Sequence, residues 1–128
     1  MLGKVGIDEL SDADARRFLI ACPDDEFVPA LEEVLKRHRS HGWLTLHHAA
    51  DLADMSVRSF QRRLAEQGET FAHIAEVART ELAERLLKCT ELSLAEIASA
   101  LGYTQPTNFV RAFKRWTGKT PDQFRVGG

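Results

Sequence analysis

Two stretches of this chain interleave cations and amides with large apolar residues, a pattern suited to reading a polyanion that carries a patterned edge. In VRSFQRRLA, Arg58, Gln61 and Arg62 recur at i, i+3 and i+4. In PTNFVRAFKRWT, Thr107, Asn108 and Arg111 cluster in the same way, with Lys114 and Arg115 one turn further on. Such spacings put each set on one side of a helix. A guanidinium pairs with guanine O6 and N7 through two hydrogen bonds, and Gln or Asn pairs likewise with adenine N6 and N7. Cations beyond the readers neutralise phosphates. The expected base contacts are therefore Arg58, Gln61 and Arg62, then Thr107, Asn108 and Arg111. The expected backbone contacts are Ser56, Ser59, Gln105, Lys114, Arg115 and Lys119. Val57, Phe60 and Leu64 on the first helix, and Phe109, Phe113 and Trp116 on the second, point away from these faces and call for a core.

The elements that position the two faces form an internal repeat. TLHHAADLADMSVRSFQRRLAEQGETFAHI aligns with SLAEIASALGYTQPTNFVRAFKRWTGKTPDQF, so that Leu46 matches Leu94, Ala50 matches Ala98, Phe60 matches Phe109 and Gly68 matches Gly118. Each copy reads as a Ser/Thr cap, a short helix with a buried alanine, a tight turn and a second amphipathic helix, which is the helix-turn-helix layout. Ser93 with Glu96 forms a capping box, Gly102 suits a positive φ, and Pro106 fits a first helical turn. Between the copies, Phe71, Ile74, Ala75, Ala78, Leu82 and Leu86 mark one face of a connecting helix about 28 Å long. Upstream, a short helix is expected around Ser11–Ala21, and Phe27, Leu31, Val34 and Leu35 mark another. No window alternates as a strand does, so the expected fold is all-α: two helix-turn-helix subdomains joined by a long linker helix.

The net charge of -2 conceals a division. Residues 1–33 carry nine acids and three bases, while residues 34–128 carry ten acids and fourteen bases. An acidic head thus precedes a mildly basic body, in keeping with a polyanionic partner. Cys22 and Cys89 stand alone, without metal or redox spacing, and read as reduced, buried thiols. His38, His41, His47 and His48 have no carboxylate or cysteine at ligand spacing, so no metal and no cofactor is expected. Nothing resembles a nucleophile with its base, so no enzyme is expected, and no apolar run reaches the length of a membrane span. Arg79 and Arg85 read as internal ion-pair formers, with Glu96 among their partners; Tyr103 and Trp43 read as packing residues.

The second copy, with GY, P, FVRAFKRWTGKTP and FR in order, resembles the C-terminal signature of the AraC/XylS family of bacterial transcription regulators. The first copy, MSVRSFQRRLAEQG, resembles that family's first recognition helix, and VARTELAERLL its linker helix, with Arg79 at the usual arginine. The resemblance runs from about Glu26 to Arg125. It implies a seven-helix module over residues 26–128, with a first subdomain at 26–68, a linker helix at 69–88 and a second subdomain at 89–128. It further implies duplex DNA as partner, one recognition helix per subdomain in the major groove, and contact with RNA polymerase. Residues 1–25 then read as the acidic tail of an absent sensor domain, through which an effector or a dimer partner would act. The expectation is a cytoplasmic fragment of a longer effector-responsive regulator, with a short stand-alone regulator as the alternative.

Overall fold

The computed structural model describes residues 9–38 and 43–127; His41 lies outside them. Every regular element among these residues is helical: α1 (Asp12–Ala21), a 3-10 turn (Asp24–Glu26), α2 (Phe27–Arg37), α3 (Leu46–Leu52) and α4 (Val57–Ala65), then α5 (Phe71–Cys89), α6 (Leu94–Ala100), α7 (Pro106–Thr117) and α8 (Pro121–Gly127). They fall into two compact units, Asp8–Ala78 and the segment from Arg79 onward, so α5 begins in one and ends in the other. No helix among the described residues is long and apolar enough to cross a membrane.

Local chemistry fixes where the helices start. Ser11, Thr45, Ser56 and Ser93 each sit in extended backbone and accept a hydrogen bond from the N–H three residues on. Ser93 and Glu96 complete the expected capping box, Glu96 Oε1 taking the Ser93 N–H at 2.8 Å. Glu96 is thus committed to the cap rather than to the arginines of α5. Arg79 holds its guanidinium 5.1 Å from the Tyr103 ring centroid, while Arg85 is exposed.

The repeat survives down to single hydrogen bonds. In the first copy the Met55 N–H reaches back to Ala50 O at 3.0 Å, and in the second the Tyr103 N–H reaches Ala98 O at 2.9 Å. The residue before each donor has left-handed backbone: Gly102 at φ 88°, as expected, and Asp54 at φ 61°. A side chain with a Cβ pays about 1–2 kcal/mol for that conformation, with Asp among the few that visit it routinely. Gly102→Ala is therefore expected to cost about 1–2 kcal/mol and Asp54→Gly nothing measurable, read as midpoint shifts in urea at unchanged slope.

Each unit has its own aromatic anchor. In the first, Phe60 of α4 is fully buried, meeting Phe27 edge-on at 5.9 Å and Phe71 at 6.1 Å between ring centroids. Leu31, Val34, Leu52 and Leu64 fill the space around these rings, and Trp43 packs against the same cluster. Ala15 and Leu19 of α1 lie in that cluster too, so from α1 onward the acidic segment shares the core of the first unit. In the second unit Phe109 of α7 is fully buried between Tyr103 at 6.0 Å and Phe113 at 5.8 Å, with Leu82, Leu86, Ile97 and Leu101 buried as well. Arg125 of α8 donates from Nε to Leu87 O at 2.9 Å and from a terminal nitrogen to Thr90 O at 3.2 Å, satisfying carbonyls at the end of α5. The cysteines differ from expectation. Cys22 is half-buried, and burial pushes its thiol pKa up; Cys89 is exposed, because it ends α5 beside the exposed Lys88.

Candidate nucleic-acid interface

The two helices expected to read DNA are the second members of their helix-turn-helix units, and each is built from its cap upward. Ser56 accepts the Ser59 N–H at 3.1 Å and starts α4. Phe60 and Leu64 then turn inward, which leaves Arg58, Gln61 and Arg62 exposed on the remaining surface. Ser56 is exposed and Ser59 half-buried, so both hydroxyls lie at the start of this face. Pro106 opens α7 after Gln105, whose side chain makes no capping bond. Phe109, Ala112 and Phe113 are buried, Trp116 is half-buried, and Gln105, Thr107, Asn108, Arg111, Lys114 and Arg115 are exposed. The helix stops at Gly118, whose φ of 84° lets its N–H reach back to Lys114 O, and the exposed Lys119 follows. Every expected contact residue is thus placed on the structure, those of α4 in the first unit and those of α7 in the second.

The electrostatics separate these cations from the rest of the molecule. Neither α4 nor α7 carries a carboxylate. Other arginines are engaged: Arg16 with Asp51, Arg17 with Asp14, Arg63 of α4 with Asp24, Arg79 on Tyr103 and Arg125 on backbone carbonyls. Among the described residues, the arginines without an intramolecular ion pair, hydrogen bond or ring contact are Arg58, Arg62, Arg85, Arg111 and Arg115; all but Arg85 lie on α4 or α7. A guanidinium that has no internal partner gives up only water when it meets a phosphate or a base edge, so no existing pair has to be broken.

Arg63 shows why helix membership alone does not make a reader. It neighbours Arg62 in sequence, yet its guanidinium carbon lies 3.8 Å from the Phe27 ring centroid and its terminal nitrogen 2.7 Å from Asp24 Oδ1. This arginine belongs to the scaffold, tying α4 to the 3-10 turn before α2. A position one step from Arg62 is rotated by roughly 100° around a helix of 3.6 residues per turn, which carries Arg63 round to Phe27 and Asp24.

Comparison with known proteins agrees with the helix-turn-helix fold. The family model described as "Helix-turn-helix domain" matches residues 49–126, more than half of the chain. The ornithine utilization regulator of Pseudomonas aeruginosa is 33% identical over 125 residues, covering 98% of this chain but 32% of the relative, so the chain spans about a third of that protein's length. The solved C-terminal domain of AraT, a response regulator from Geobacillus stearothermophilus, superposes with a TM-score of 0.68 at 32% identity, covering 84% of this chain and 87% of that one. The DNA-binding domain of the global transcriptional factor AdpA, solved in complex with a target DNA, gives a TM-score of 0.65 at 27% identity, covering 84% of this chain and 93% of that domain.

Proposed function

We propose, since this chain belongs to the AraC-type family of helix-turn-helix domains, that it is the DNA-binding part of a transcription regulator and that α4 and α7 each enter a major groove. The observation that carries the reading is the concentration, among the described residues, of unengaged arginines on those two helices, with Arg85 the exception. Arg58, Gln61 and Arg62 read one short box; Thr107, Asn108 and Arg111 read a second. Ser56, Ser59, Gln105, Lys114, Arg115 and Lys119 hold phosphates and set register. The AdpA domain, seen on its target DNA, gives the reading a precedent in a fold this chain shares. The module binds without catalysis.

Fluorescence anisotropy against a random duplex pool at several salt concentrations, followed by selection and sequencing, tests this. Salt-dependent binding that enriches two short boxes is the expected result. Lys114→Gln is expected to weaken all sequences alike and to reduce the slope of log K against log salt by about 1. Binding with no enriched sequence would reduce the domain to a nonspecific gripper, and no binding at low salt would turn both basic faces toward an acidic protein partner.

A further inference from the structure

Three side chains that the DNA-facing surfaces leave unused meet within the first unit: Asp12, His38 and His48. Asp12 opens α1, His38 caps the C-terminus of α2, and His48 lies in the first turn of α3. One ligand atom from each lies within 4.8 Å of the others. His38 Nε2 is hydrogen-bonded to Asp12 Oδ1, and His48 Nε2 stands 3.5 Å from the same oxygen. The two imidazoles meet edge to face, 5.2 Å apart at 89°. Burial is graded across the cluster, with side-chain exposures of 2% for His38, 31% for His48 and 57% for Asp12.

We propose that Asp12, His38 and His48 bind a divalent transition-metal ion, zinc in the first instance, that fastens the starts of α1 and α3 to the end of α2. Two imidazole nitrogens and one carboxylate oxygen are a donor set that zinc accepts, whereas magnesium and calcium take oxygen donors. Ligand distances of about 2.0–2.2 Å around tetrahedral zinc set edges of about 3.3 Å between donor atoms. The 3.5 Å separation of His48 Nε2 from Asp12 Oδ1 is already close to such an edge, whereas His38 Nε2 and Asp12 Oδ1 are in direct contact and part to admit the ion. Two imidazole nitrogens converge on one carboxylate oxygen here, and the more distant of them is too far for a strong hydrogen bond. A cation at the point of convergence serves all three at once. The exposed Asp12 side leaves a fourth position for water. Histidine spacing alone hides the site, because its carboxylate comes from 26 residues upstream of His38.

The test is calorimetric titration of the metal-free 128-residue chain with Zn(II), with Co(II) absorption as a geometric readout. One ion per chain, the intense visible bands of four-coordinate cobalt and a rise in unfolding temperature with zinc are expected. His48→Ala and Asp12→Asn alter partly exposed positions, and circular dichroism checks that both variants fold. Each is expected to weaken zinc by more than about tenfold and to abolish the cobalt bands. His47→Ala and His73→Ala, changing exposed histidines outside the cluster, are expected to leave both unchanged. No stoichiometric binding, or binding that survives His48→Ala and Asp12→Asn, would overturn the proposal and leave the three residues as a hydrogen-bonded contact only.

Discussion

Replacing Arg58 and Arg111 together by alanine is expected to lower affinity for the selected duplex by about 2–6 kcal/mol, while affinity for random duplex falls far less. The figure follows from about 1–3 kcal/mol for each bidentate base contact. The two add because the residues lie in separate units, and neither has an intramolecular partner that its loss would strand. Specific binding usually exceeds nonspecific binding by about 4–10 kcal/mol, so the double variant would lose much of the difference. Circular dichroism should not change, since both side chains are exposed. Each single variant should relax one box and leave the other sharp. An equal loss on selected and random DNA would show instead that both arginines hold phosphates, and the division into readers and grippers would have to be redrawn.

Phe109→Ala is expected to cost about 3–5 kcal/mol of stability, the range for emptying a fully buried aromatic site. Phe109 stands between Tyr103 and Phe113, so its loss leaves both rings facing a cavity and removes the anchor that holds α7 to its unit. A small domain is stable by only about 5–15 kcal/mol in total, so the second unit is left near its unfolding threshold. Selection with this variant should therefore still enrich the box read by α4 and lose the box read by α7. Urea denaturation should become two-stepped, the second unit melting early. Phe60→Ala, fully buried against Phe27 and Phe71, should give the mirror result. A single transition with both boxes lost together would mean that α5 makes the two units one cooperative body.

Much of the fold was legible because the chain states its helix grammar twice. The cap at Ser93, the turn glycine Gly102 and the proline at the start of α7 are local signals, and the structure uses each of them. The 3.6-residue period identified the buried Phe60, Leu64, Phe109 and Phe113, and by subtraction the exposed faces. What escaped is tertiary. Asp54 takes the left-handed position that a glycine marks in the other copy, so the first turn carries no distinctive residue to read. Arg63 lies beside two surface candidates, and only the arrival of Phe27 and Asp24 from the preceding turn and helix assigns it to the scaffold. The convergence of Asp12 with His38 and His48 joins three helices, and no spacing rule spans it. Ala15 and Leu19 make a narrow apolar stripe on a helix otherwise rich in charge, which is why the segment before Glu26 read as an appendage.

The guanidinium of Arg125 reaches carbonyls that precede it by 35 and 38 residues, and this sets an order of events on the ribosome. Synthesis delivers the chain from its N-terminus. Once Ala78 has emerged, the first unit has every residue of its cluster and is free to fold. The last turn of α5 has no such independence, since it waits for α6, α7 and α8 as far as Arg125 to leave the exit tunnel before its carbonyls gain their donor. Between those two moments the nascent polypeptide is a half-reader, with one docking helix finished and the other awaiting its latch.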